Sequence, residues 1–323
     1  MIQTDKLTKH FKDVHAVQGI DLAVAPGELV ALLGPNGAGK STTLRMLTTL
    51  IPPTSGTARV AGFDVVRQQR EVRHRIGYIG QGNGAGHSQR GRDELISQGR
   101  AYGLKVVDAR RRAAELIDSL GLGEVADRTV STLSGGQRRR LDIAMGLIHE
   151  PELLFLDEPS TGLDPQNRAN LQEHILDLRK RHDTTIVLTT HYLDEADSMA
   201  ERVIVIDHGR IIADDTPAAL KATHVGDRII LGFDHEADAA AASARIPHEL
   251  HRHGTQLTIS VTGAPRLVPN LLEDLRAAGL PAAEVEVRRP TLDDVFLKLT
   301  GRSLREGGAV AEPTDKELVA VLP

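Results

Sequence analysis

Short apolar runs ending in polar residues alternate with amphipathic stretches through the first two-thirds of the chain. "LVALLG" (29–34) is one such run, followed by a Gly-rich loop, then "KSTTLRMLTTLI", then Pro52-Pro53. That order predicts a buried strand, a loop, a helix and a stop. "ELLFLDEP" (152–159) and "TTIVLTTH" (184–191) predict two further buried strands, and "RVIVIDHGRIIADD" (202–215) a hairpin with Gly209 in its turn. Buried strands alternating with helices predict a layered α/β sheet, with ligands gathered at the strand ends. Between Gln81 and Glu150 the strand pattern gives way to helical patterning. In "SGGQRRRLDIAMGLIHE" the residues Leu141, Ala144, Met145 and Ile148 share one helical face. Residues 82–150 therefore read as a helical subdomain inserted into an α/β domain spanning 1–220.

The texture changes after "TPAALKATHVGD". "RIILGF" predicts a strand, "HEADAAAASARI" a helix, "ELHRHGTQLTISV" a hairpin around Gly254, "RLVPNLLEDLRAAG" a helix and "AEVEVR" a strand. This βαββαβ order predicts a small ferredoxin-like α+β domain over 225–302. A short helix in "TLDDVFLKLTG" closes it, with Leu292, Val295, Phe296 and Leu299 packing inward. Residues 303–323 read as a flexible tail.

Composition narrows the chemistry. The 323 residues suffice for two ordinary domains, and with aromatics at 2% the core must be built from Leu, Val, Ile and Ala. The chain has no cysteine, which excludes disulfides, thiolate metal sites and cysteine nucleophiles. A net charge of −5 argues against a general nucleic-acid or anionic-membrane binder. The arginine clusters "RQQREVRHR" (67–75), "ARRRA" (109–113) and "QRRR" (137–140) alternate with acids and lack interleaved aromatics. They read as solvated helix faces, and no nucleic-acid partner is expected. "MIQTDKLTKHFK" lacks the apolar core of a signal peptide. No apolar run reaches the ~18 residues of a spanning helix. A cytoplasmic location is expected, with any membrane attachment supplied by another chain.

"GPNGAGKST" fits the phosphate-loop pattern GxxxxGK[ST] at Gly34, Gly39, Lys40 and Ser41. Its glycines let the loop of Gly34, Pro35, Asn36, Gly37, Ala38 and Gly39 wrap phosphates, with the helix start at Lys40, Ser41 and Thr42 facing their charge. Lys40 should reach the β- and γ-phosphates of ATP, and Ser41 should ligate Mg²⁺. In "LLFLDEP" Asp157 emerges at a strand end, where it can hold Mg²⁺ through water. Glu158 follows, placed to orient the attacking water and draw off its proton.

A second anion-binding element lies downstream in "LSGGQ", where Ser134, Gly135, Gly136 and Gln137 open a helix. In isolation this stretch reads more readily as an N-cap with glycines for close packing. The continuous run "LSGGQRRRLDIAMGLIHEPELLFLDEP" resembles the signature sequence of ABC-type ATPases. The resemblance implies that the signature closes over the γ-phosphate held by a second subunit. One copy of each motif then implies a homodimer with two shared ATP sites. The resemblance, which covers about 1–220, also implies roles for single residues. Phe11 matches the aromatic that stacks on adenine, with Val17 padding the same pocket. Gln81 matches the glutamine that senses Mg²⁺ and the attacking water. Asp164 in "STGLDP" matches the loop that communicates across the dimer, and His191 the histidine that contacts the γ-phosphate.

"RRPTLDDVFLKLTGR" (288–302) resembles the end of the daunorubicin/doxorubicin-resistance ATP-binding proteins, stand-alone subunits of bacterial drug exporters. This implies efflux of a hydrophobic drug or antibiotic through a separate integral membrane permease, with the chain at the cytoplasmic face of the membrane. One stretch departs from the family pattern, "GNGAGHSQRGRDEL": Gly91, Arg92 and Leu95 fit, whereas Arg90, Asp93 and Glu94 do not. Its glycines predict a mobile loop where the family's membrane subunit docks. The competing readings are a soluble ABC ATPase of translation or DNA repair, and a simple P-loop kinase. The first usually doubles the cassette or splits it with a coiled coil; the second needs neither "LSGGQ" nor the Asp164 loop.

Overall fold

The computed structural model describes residues 1–302 apart from Asn83 and His87; the tail at 303–323 lies outside the described residues. The described chain forms two compact units, Met1–Asp215 and a second starting at Thr216. No helix among the described residues is long and apolar enough to cross a membrane.

The first unit is built on a six-stranded sheet. Its order is Arg210–Asp215, Arg202–Asp207, Leu29–Leu33, Thr185–Thr190, Leu153–Asp157, Ile76–Ile79. All neighbours are parallel except the edge pair Arg202–Asp207 and Arg210–Asp215, joined by a tight turn at His208-Gly209. Leu29–Leu33 and Leu153–Asp157 are buried at every position, as expected of central strands covered on both faces. An antiparallel sheet of Val14–Ile20, Ile2–Phe11, Ser55–Val60 and Phe63–Asp64 covers one side, with Ala23–Val24 also paired to Ile2–Phe11. Its apolar side chains Ile2, Leu7, Val17, Ile20 and Val60 share one core with Leu44 and Leu47 of the helix Lys40–Leu47 and with Val30, Phe155 and Val187 of the parallel sheet. The helices Gly91–Ala101, Val106–Ser119 and Gly135–Leu147 lie between the strands Ile76–Ile79 and Leu153–Asp157 in sequence. Two parallel strands that are neighbours in the sheet therefore bracket the whole helical insertion.

The second unit contains the strands Asp227–Gly232, Leu250–His253, Gln256–Val261 and Glu284–Arg288, with the helices Glu236–Ser243 and Ala264–Ala277 between them. The sheet order is Leu250–His253, Gln256–Val261, Asp227–Gly232, Glu284–Arg288, antiparallel throughout, which is the split βαβ arrangement of the ferredoxin-like fold. Ile229, Leu231, Leu257 and Ile259 pack against Ala239, Ala242, Leu271 and Leu275. The helices Pro217–His224 and Leu292–Thr300 pack on one another. On the latter, Leu292, Val295 and Phe296 are buried and Leu299 is half-buried.

Candidate active site

The central strand Leu29–Leu33 delivers the chain into the loop 34–39, which the helix Lys40–Leu47 then leaves. Gly39, the residue before that helix, has φ +101°, and a Cβ there would stand 2.4 Å from the Ala16 carbonyl oxygen. Glycine is required on both counts. The Gly209 amide donates to Ala38 O at 2.9 Å, so the edge hairpin braces the loop from outside. Lys40 is buried; its ammonium donates to Gly34 O at 2.8 Å and Pro35 O at 3.0 Å, curled over the loop it would share with phosphates.

Ser41 donates to Asp157 Oδ1 at 2.8 Å, and Asp157 is fully buried at the end of its strand. Gln81 Nε2 donates to Ser41 Oγ at 3.3 Å. Thr189, next to last in the strand Thr185–Thr190, donates to Asp157 Oδ1 at 2.7 Å and accepts from the Glu158 amide at 2.9 Å. The Tyr78 hydroxyl, 3.4 Å from Asp157 Oδ2, is held protonated: burial and then the Asp157 charge push its pKa up. Thr189 and Tyr78 escaped the sequence reading, although the threonine at the polar end of "TTIVLTTH" carried a usable signal.

Glu158 adopts φ +46°, unusual for a residue with a side chain. Its carboxylate lies 3.8 Å from Lys40 Nζ and 3.3 Å from His191 Nδ1, and it accepts from Thr161 Oγ1 at 3.1 Å. Burial pushes this carboxyl up, but the nearby His191 ring, the Lys40 charge and the Thr161 hydroxyl together hold it below the usual glutamate range. Lys40, Ser41, Gln81, Asp157, Glu158 and His191 thus meet at the ends of adjacent strands.

The signature residues form a separate ridge. Ser134 caps the helix Gly135–Leu147 in a capping box, accepting from the Gln137 amide at 3.3 Å while its own amide donates to Gln137 Oε1 at 2.9 Å. A Cβ on Gly136 would stand 2.5 Å from Asn167 Oδ1, so the glycine permits close packing on the helix Pro165–His182. Asp164 caps that helix, accepting from the Asn167 amide at 3.0 Å. Ser134, Gly135 and Asp164 are exposed.

Two expectations need correction. Val17 has no exposed surface and belongs to the core, so it cannot pad an adenine pocket. Strand alternation turns the neighbouring, half-exposed Ala16 the other way. Phe11, by contrast, is half-buried at the end of its strand, with Lys9 Nζ 5.0 Å above its ring. The arginine clusters are also not uniformly solvated: Arg112 and Arg139 are each only 8% exposed. Asn83 and His87 of the divergent glycine-containing stretch lie outside the described residues.

A phosphate loop on a parallel sheet, with two consecutive acids at the end of the next strand but one, defines a nucleotide-hydrolysing P-loop ATPase. The family model for ABC transporters matches residues 17–161. The chain is 42% identical, over 99% of its length and 98% of the relative, to the daunorubicin/doxorubicin resistance ATP-binding protein of Streptomyces peucetius. It is 44% identical, over 94% of its length and 97% of the relative, to a daunorubicin resistance ATP-binding protein of Streptomyces coeruleorubidus. A solved structure from Clostridium perfringens, part of an ABC transporter complex, aligns with a TM-score of 0.64 at 28% identity, covering 68% of this chain and 90% of that one. The chain belongs to the ATP-binding proteins of ABC transporters, of the daunorubicin/doxorubicin-resistance type. It binds nucleotide and hydrolyses ATP.

Proposed function

We propose that this chain powers an ABC exporter, using ATP to drive a hydrophobic drug or antibiotic out through separate membrane-embedded permease subunits while bound at the cytoplasmic face. The observation that supports this best is the division of the site. The groups that would bind phosphate and orient water converge at the strand ends, whereas Ser134 and Gly135 lie exposed at the start of a self-capped helix in which Gly136 is buried and Gln137 half-buried. An exposed helix start with anion-binding amides suits the nucleotide of a second copy. Two copies then enclose two ATP molecules, with Asp164 at the seam, and hydrolysis releases them.

Phe11 would stack on adenine, and the amides of the loop 34–39 with Lys40 and Thr42 would hold the phosphates. Ser41 Oγ and Asp157 Oδ1 are hard oxygen atoms 2.8 Å apart, and the Gln81 side-chain amide, which also carries an oxygen, reaches Ser41 through its Nε2 at 3.3 Å, a set that fits Mg²⁺. When bound, that ion would supply charge neutralisation of the phosphates. Glu158, ionised at neutral pH, would accept a hydrogen bond from the attacking water and orient it, with His191 steadying the carboxylate. Phosphoryl transfer relies on such positioning rather than on covalent catalysis.

The test is to recover tagged Glu158→Gln protein from gently solubilised native membranes with Mg-ATP present. A multi-spanning membrane protein in equal amount supports the exporter reading. Recovery of only soluble partners or ribosomes sinks it and favours an ATPase of translation or repair.

A further inference from the structure

Arg139 is the buried residue that the proposed chemistry leaves without a task. It sits on the second turn of the helix Gly135–Leu147, with its guanidinium pointing into the unit. Its Nη1 donates to Gly80 O at 2.7 Å, its Nε to Pro159 O at 2.8 Å and its Nη2 to Asp157 O at 3.3 Å. Gly80 is the residue before Gln81. Asp157 and Pro159 are the residues on either side of Glu158. One side chain therefore holds the backbone next to both groups assigned to the attacking water.

We propose that Arg139 is a positioning residue for ATP hydrolysis, fastening the signature helix to the two segments that carry Gln81 and Glu158. The inference rests on the roles given to those two residues above. Arginine is suited to the task because its planar fork presents donors in several fixed directions, whereas a lysine ammonium is a point charge that cannot hold the same spread of carbonyls.

The same helix grips the Gln81 segment again further along. Arg138 Nη2 donates to Ala85 O at 3.0 Å, and Asp142 Oδ1 accepts from the amides of Gly84 at 3.1 Å and Ala85 at 2.8 Å. At its start the helix is locked to Ser134 and Gln137 by the capping box, so the signature and Arg139 share one rigid element. A displacement of the signature, when it closes on nucleotide held by a second copy, is passed by Arg139 to the Gln81 and Glu158 backbone of its own chain. This route links the state of one ATP site to the geometry of the other.

The experiment uses the full chain carrying Arg139→Met, Arg139→Lys, Glu158→Gln or Arg140→Met, with kcat, KM, ATP affinity and Tm measured for each. Arg140 is the control, since it lies one residue on and donates to Leu120 O at 3.1 Å within the helical subdomain. Arg139→Met should lower kcat on the order of 10²-fold, the effect of a misplacement of about 1 Å at the reacting groups. Its ATP affinity should stay within about threefold of wild type, the pattern of an interaction needed only in the transition state. Arg139→Lys should fall between them, about tenfold down. Arg140→Met should lose stability while keeping kcat per folded molecule.

Wild-type kcat in folded Arg139→Met overturns the proposal, as does an equal loss in Arg140→Met. If Arg139→Met does not fold, Arg139→Lys decides, and full activity there overturns it. Wild-type turnover by Glu158→Gln would instead defeat the role assigned to Glu158. A slow Glu158→Gln beside a fast Arg139→Met defeats the positioning role alone.

Discussion

Lys40→Ala is the sharpest perturbation of the phosphate loop, and its size can be worked from the contacts of the ammonium. The ammonium makes two hydrogen bonds to backbone carbonyls, at 2.8 and 3.0 Å, which it must surrender to reach phosphate. Bonds from the ammonium to two anionic phosphate oxygens lie at the upper end of the range for charged groups, about 5–6 kcal/mol together, and the two ammonium–carbonyl bonds given up lie at its lower end, about 3 kcal/mol together. The difference is about 2–3 kcal/mol, so ATP affinity should fall on the order of 10²-fold. Isothermal titration with ATP, with and without Mg²⁺, reads this directly. The variant should also melt at lower temperature, because Gly34 O and Pro35 O lose a buried partner and Glu158 loses a cation 3.8 Å away. An affinity within about threefold of wild type would refute the reasoning, because no such pair of charge-assisted bonds would then exist.

Glu158→Gln should bind ATP normally yet hydrolyse it about 10²–10⁴-fold more slowly, the usual worth of a general base, as a steady-state phosphate-release assay will show. The same carboxyl has a folded-state pKa below its unfolded value. Its contribution to stability should therefore be complete above about pH 4.3 and disappear as pH falls through the lower, folded value. Melting curves of wild type and Glu158→Gln should accordingly converge in acid; a gap that widens there would contradict the sign. Gly39→Ala and Gly62→Ala separate backbone strain from collision. Both positions have positive φ, but a Cβ would meet the Ala16 carbonyl at 2.4 Å in the first and nothing within 4 Å in the second. Gly62→Ala should cost about 1–2 kcal/mol in denaturant titration, and Gly39→Ala distinctly more, with ATP binding impaired.

The phosphate loop and the acid pair were legible because their chemistry is written in consecutive residues: a strand, a turn of fixed spacing and a helix start. The antiparallel sheet was not legible. In Ile2–Phe11 only Ile2 and Leu7 are buried, and a strict two-residue period would place those two on opposite faces. Lys6 at φ +46° and a register shift between Asp5 and Thr8 reverse the alternation, so both side chains enter the core. The misplacement of Val17 has a related cause. An aromatic followed by small and branched residues marks two paired strands, Ile2–Phe11 and Val14–Ile20, but which side chains enter the core is decided by how those strands pair.

Arg139 shows why a charged run cannot be assigned to solvent from sequence. The parallel strands Ile76–Ile79 and Leu153–Asp157 end side by side, with Ile79 paired to Leu156. Beyond that pair the ladder between these two strands ends, although Asp157 still pairs with Thr189 on its other side, and the carbonyls of Gly80, Asp157 and Pro159 face the gap that opens. In an open sheet water would satisfy them; here the helical insertion that leaves after Ile76–Ile79 and returns before Leu153–Asp157 folds over the same end. Covering those carbonyls without a donor would orphan them at about 1–3 kcal/mol each. The covering helix must therefore bring a branched donor inward. Arg139 meets that requirement while Arg140, one residue on, bonds within the helical subdomain. The demand for a buried arginine arises from topology: an insertion folded back over the strand ends next to Gln81 and Glu158. For that reason the residue that closes the gap also ties the signature helix to the chemistry.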